Sequence, residues 1–126
     1  MLATTANAAR LEVVVANVRN GNGHVRVAAC TVDTFLKEFC QVNGSIKAKP
    51  GEVVIVMDVP PGVWAFQAYG DEDDNEEVTR NFLGFPLEGV GFSNDAPIRL
   101  GPPSFNDAAV RIGPGGGRIR FNLRYF

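Results

Sequence analysis

Near its C-terminus the chain alternates strictly between apolar and polar residues. Ile119, Phe121, Leu123 and Tyr125 fall at every second position, and Arg118, Arg120, Asn122 and Arg124 fall between them. Successive side chains of a strand point to opposite faces, so this pattern specifies a strand with one face in a core and the other in water. Less regular runs elsewhere read the same way. Residues 11–18 are rich in valine, and residues 24–30 (HVRVAAC) follow them across Asn20-Gly21-Asn22-Gly23. Both Asn-Gly pairs accept positive φ, so the two runs are expected to form a hairpin. Residues 45–49 alternate weakly, as a short edge strand would. Residues 53–59 (VVIVMDV) are the most apolar run and are expected at the centre of a sheet. Pro60-Pro61-Gly62 turns into a further strand at 63–69 (VWAFQAY), and another is expected at 108–112.

Two stretches break the pattern. Between Thr31 and Cys40, residues Phe35, Leu36 and Phe39 sit at helical spacing, and Thr31 or Asp33 offers a cap. One or two helical turns are expected there. From residue 82 to 107 there is little periodicity and much Gly and Pro. The sum is about seven strands with short connections, which predicts an all-β, mostly antiparallel, two-sheet Greek-key sandwich with one short helical turn.

The chain has 126 residues, 45% hydrophobic and 21% charged, which suits one folded domain rather than a disordered chain. That domain is expected over residues 11–126. Residues 1–10 (MLATTANAAR) are small and polar and are expected to be a disordered remnant. Ala6-Asn7-Ala8 looks like the small-residue end of a signal peptide, which points to a periplasmic or secreted protein. No apolar run approaches the roughly 20 residues of a membrane-spanning helix. A net charge of −2 argues against nucleic-acid binding. Arg118, Arg120 and Arg124 share one strand face, read as a solvated outer face. Trp64 and the nine phenylalanines read as core rather than base-stacking platforms.

Cys30 and Cys40 end consecutive predicted elements, so they can meet. A disulfide would stabilise the fold by about 2.5–3 kcal/mol through loop entropy and would imply an oxidising compartment. The alternative is two buried thiols acting as small apolar groups. His24, the single histidine, cannot complete a four-ligand metal site with them.

Asp71, Asp73 and Asn75 stand at alternate positions, a spacing that lets three oxygens converge on calcium as in the first half of an EF-hand loop. Later positions fit less well. Glu76 stands where the sharp turn needs Gly, Thr79 is at the ninth position, and Phe82 replaces the bidentate Glu. Glu77 or Glu88 would have to compensate. The competing reading is a solvated acidic turn, and no other cofactor is expected.

Residues 84–94 (GFPLEGVGFSN) and 101–107 (GPPSFND) make a long irregular stretch. Such loops tend to be functional or disordered. Phe82, Leu83, Phe85, Phe92 and Phe105 supply apolar anchors against disorder. Glu88, Ser93, Asn94 and Asp107 are polar groups such a scaffold can hold, although a self-packed cover at the end of the sandwich explains the stretch as well.

Three segments resemble the bacterial domain-of-unknown-function 2141 family. Residues 59–65 (VPPGVWA) are similar to its "LP-x-G-x-YA". Residues 71–75 (DEDDN), continuing to 81–86 (NFLGFP), are similar to its "DEN-x-NGKLD-x-N-x-LG-x-P". Residues 88–94 (EGVGFSN) with 101–108 (GPPSFNDA) match its "EG-x-GFSN" and "GPP-x-F-x-DA". The resemblance implies an exported protein and a transthyretin-like or carboxypeptidase-regulatory-like sandwich, and it implies no known activity. Glu76 and Thr79 replace a Gly and an Asp of the pattern, so a cation should be held less well here.

These readings lead to a non-enzymatic exported binding or accessory module with a protein or small-ligand partner. Its expected surface comprises Asp71, Asp73, Asn75, Glu88, Ser93 and Asn94, with weak calcium, if any, at Asp71, Asp73 and Asn75. The alternatives are a calcium-stabilised structural domain and, less favoured, a hydrolase using Ser93 or Ser104 beside a base, or the carboxylates of Glu88 and Asp107.

Overall fold

The structure, a computed structural model, describes residues 9–37, 40–78, 87–99 and 101–126. Valine-rich alternation builds two sheets over a shared core. In chain order the strands are β1 (Ala9–Val18), β2 (His24–Cys30), β3 (Val42–Lys47), β4 (Gly51–Val59), β5 (Gly62–Asp71), β6 (Val90–Phe92), β7 (Ala109–Ile112) and β8 (Gly117–Asn122). A 3-10 turn spans Ser93–Asp95, and a one-turn helix, α1, spans Phe105–Ala108. The smaller sheet has the order β4-β1-β8, and β1 runs parallel to β8. The larger has the order β3-β2-β5, with β6 and β7 pairing successive halves of β5. Leu11, Val13 and Val15 of β1, Ile55 and Met57 of β4, Val25 and Val27 of β2 and Phe66 of β5 meet between the sheets. This is the sandwich the alternation predicts, with β6 as an extra three-residue strand.

Several expectations need correction. β1 and β2 do not form a hairpin; they lie in different sheets, facing each other across the core. Both carry an inward apolar row, which adjacency within one sheet and apposition across two satisfy equally. Asn17 at φ 63 and a register shift between Val15 and Val18 bend the chain out of the first sheet. Gly23, at φ +66, completes the corner; a Cβ there would lie 1.9 Å from the Asp71 carbonyl oxygen.

β4 is not central but an edge strand of the smaller sheet. Its inward row is buried, while Val54 and Val56 are 36% and 45% exposed. The central strand of that sheet is β1.

Between Thr31 and Cys40 a single helical turn forms, closed by the Phe35 N–H on the Thr31 carbonyl at 2.9 Å. Leu36 at φ 62 stops it and is exposed. Phe39 lies outside the described residues. β1 begins at Ala9, so Ala9 and Arg10 belong to the sheet rather than to an N-terminal remnant.

Cys30 and Cys40 form a disulfide. It anchors a second, smaller apolar cluster on the outer face of the larger sheet, where Phe35 meets Phe92 and Phe105 edge-on at 5.9 Å each. No helix of the described residues is long and apolar enough to cross a membrane.

Candidate functional site

β5 delivers Asp71 to the start of the acidic loop with its side chain fully buried. Its Oδ2 accepts from Arg26 Nε at 2.7 Å and from the Glu76 N–H at 2.8 Å, and its Oδ1 accepts from the Asn75 N–H at 3.2 Å. Burial pushes this carboxyl up. The Arg26 guanidinium and the two backbone N–H groups outweigh burial and hold it below the usual carboxylate range. Asn75 turns its side-chain oxygen back to the Glu77 N–H at 2.9 Å. Glu76 adopts φ 64, a left-handed conformation that favours Gly. That is the position where the family pattern has Gly.

A neighbouring segment locks the loop from the other side. Glu88, also buried, accepts from the Glu72 N–H at 2.9 Å, and the Gly70 N–H donates to the Gly89 carbonyl at 2.9 Å. Arg19 grips Glu72 with two bonds of 2.7 and 2.9 Å and stacks over Tyr125. The Arg19 hydrogen bond holds the Glu72 carboxyl below its usual value. Asp71, Asp73 and Glu88 bring one carboxylate oxygen each to within 4.8 Å of one another. Two of the expected calcium residues, Asp71 and Asp73, thus converge with Glu88. Thr79 and Phe82 lie outside the described residues.

Ser93 and Asn94 are placed elsewhere and act as ties. The buried Ser93 hydroxyl donates to the Ala108 carbonyl and accepts from the Phe66 N–H at 2.9 Å. Asn94, left-handed at φ 62, donates from Nδ2 to the carbonyls of Asp107 and Ala109 at 3.2 and 3.0 Å. Asp95 accepts from the Asn122 N–H at 2.8 Å. Ser104 caps α1 by accepting from the Asp107 N–H at 3.2 Å. Gly91 permits the approach of β6 to β8, since a Cβ there would stand 2.3 Å from the Asn122 carbonyl oxygen. The GVGFSN and GPPSFNDA segments therefore clasp β5, β6, β7 and β8 together.

A groove of about 400 Å³ with polar walls lies on the outer face of the larger sheet. Strand register explains it. Ala28 of β2 sits between Asn43 of β3 and Gln67 of β5, and Arg26 sits between Ser45 and Tyr69. The small Ala28 side chain leaves a dip ringed by longer polar ones. Lys37 from the disulfide loop and Glu76 from the acidic loop contribute to the walls. Gln67 Oε1 is buried with no hydrogen-bond partner among the described residues. An unmade buried acceptor costs about 1–3 kcal/mol. Tyr69 is half-buried, and burial, followed by the Asp71 carboxylate, pushes its hydroxyl up to about 12.

The groove was not visible in the sequence. Its only trace is the spacing of Arg26 and Ala28, and of Gln67 and Tyr69, at alternate positions. Which strands stand side by side is needed to join them. Asp71 links the two regions: the acidic loop it organises supplies Glu76, and its carboxylate aims Arg26.

Fold and site together define a disulfide-stapled β-sandwich with a polar groove on its larger sheet. The family model for domain of unknown function 2141, described as uncharacterised protein conserved in bacteria, matches residues 13–120. The chain belongs to that family. No curated protein and no solved structure matches it.

Proposed function

We propose that the protein is a non-enzymatic exported binding module that holds a small polar ligand in the groove of its larger sheet. The observation that carries this reading is the groove itself, dipped at the small Ala28 and lined by the hydrogen-bonding side chains of Arg26, Asn43, Ser45, Gln67 and Tyr69. The Cys30–Cys40 disulfide supports an oxidising compartment, the periplasm or beyond. Two sheets with repeated crossings between them support the transthyretin-like comparison. The non-enzymatic part rests on the serines: Ser93 is buried in backbone hydrogen bonds, and Ser104 accepts from the first turn of α1. The histidine ring, His24, pairs with Asp74 at 2.8 Å.

A ligand-observed NMR screen of a small-molecule library tests the reading. Wild type should give hits that Ala28→Phe, which fills the dip from an outward-facing position, loses while keeping its melting temperature within a few degrees. Hits shared equally by both proteins, or none at all, would contradict it.

A second reading is a calcium-stabilised structural domain, favoured by the convergence of Asp71, Asp73 and Glu88. On this reading millimolar calcium raises the melting temperature above that in chelator, and Glu88→Gln removes the difference. Identical melting with and without calcium ends it. Arg26 on Asp71 and the backbone N–H groups on Asp71 and Glu88 compete for the same oxygens.

A further inference from the structure

We propose that the ligand of this groove is a neutral saccharide, a mono- or disaccharide or the end of a longer glycan. The inference rests on the binding-module reading and narrows it to one chemical class. Three features of the groove select that class.

The first is charge. Arg26 is the strongest cation in the lining, but Asp71 Oδ2 at 2.7 Å and Asp74 Oδ1 at 3.4 Å hold it. The walls also carry one residue of each sign, Lys37 and Glu76. An anionic ligand such as a phosphate or a nucleotide needs an uncompensated positive cluster, and the groove has none.

The second is the balance of donors and acceptors. Ser45 and Tyr69 present hydroxyls, each able to donate and accept. Asn43 presents an amide with both functions, although its Nδ2 also reaches the carbonyls of Cys40 and Gln41 at 3.3 and 3.4 Å, and Gln67 adds a second amide whose oxygen is buried. A polyol offers both functions at every hydroxyl, so it can answer a mixed array of this kind. A fatty or terpenoid ligand would leave these groups without water or partner.

The third is Tyr69. It is half-buried, on the row next to Ala28 and Gln67, and it offers an apolar ring with a polar tip. The C–H face of a pyranose packs on such a ring while its hydroxyls reach the flanking amides.

The test is an amide NMR titration of the intact, disulfide-bonded protein with glucose, galactose, mannose, N-acetylglucosamine and their β-linked disaccharides. Inorganic phosphate, glycine and octanoate serve as non-saccharide probes. The inference expects at least one saccharide to shift Ala28, Ser45, Gln67 and Tyr69 saturably. Tyr69→Ala should weaken that binding about tenfold or more, as loss of a central aromatic anchor does. Gln67→Leu, similar in size but without the amide, should weaken it too with the melting temperature kept or raised. Groove shifts from a non-saccharide probe alone would overturn the saccharide assignment and leave the binding-module reading standing. No groove shifts from any probe, with the library screen equally silent, would overturn both.

Discussion

Asp71 shows how much of this domain depends on a single side chain. Fully buried, it receives Arg26 and two loop N–H groups, so it fixes both the acidic loop and one corner of the groove. Asp71→Asn leaves Arg26 without its closest partner and is expected to cost about 3 kcal/mol at neutral pH. The sign with pH follows from the depressed carboxyls of Asp71 and Glu72. A carboxyl held lower in the folded state stabilises fully above its unfolded value, near 4, and that stabilisation is lost as pH falls through the folded value. Urea denaturation from pH 7 down to pH 2 should therefore show wild type losing stability below about pH 4, with the gap to Asp71→Asn narrowing there. A constant gap across that range would contradict the role given to Asp71. At this scale the sequence was informative about which residues matter and silent about why. Alternate Asp71, Asp73 and Asn75 look like cation ligands, and an acidic motif by itself cannot reveal that Asp71 is turned onto Arg26 or that Asn75 caps its own loop.

Among the elements, the clasp made by the Gly/Pro-rich stretch has the most structural weight for its length. Ser93 joins Phe66 of β5 to Ala108 at the end of α1, and Gly91 lets β6 lie against β8. Ser93→Ala leaves the Phe66 N–H buried and unpaired and should cost about 1–3 kcal/mol, measurable as a lower denaturation midpoint at unchanged slope. Ligand affinity measured well below the melting transition should stay within about twofold of wild type, because the groove residues of β2 and β3 are untouched. Strand positions were legible because alternation is a local signal: β2, β5 and β8 fall close to where the apolar rows place them. Strand neighbours were not. The Asn-Gly corner fits a hairpin as well as a crossing, and the apolar run of β4 is compatible with an edge whose outer valines remain exposed. Both choices are made by packing across the core, which no window of the sequence contains.

As a whole molecule, the sandwich divides its two outer faces. On the smaller sheet Arg118 pairs with Glu12 and Arg120 with Glu52, so the basic C-terminal strand is largely neutralised. On the larger sheet the disulfide loop and the acidic loop rise on either side of Ala28 and leave a groove between them. The family resemblance and the fold class were readable from the chain, whereas the groove emerges only when β3, β2 and β5 are set side by side. The central claim is that this face, rather than the loops of the Asp71–Asn75 and Glu88–Asn94 motifs, takes the ligand. The most direct measurement is a residue-by-residue map of amide shifts with the strongest hit of the library screen. The account predicts a patch centred on Ala28, Ser45, Gln67 and Tyr69 that disappears in Ala28→Phe. A patch confined to Asp73, Asn75, Glu88 and Asn94, unchanged in that variant, would contradict it.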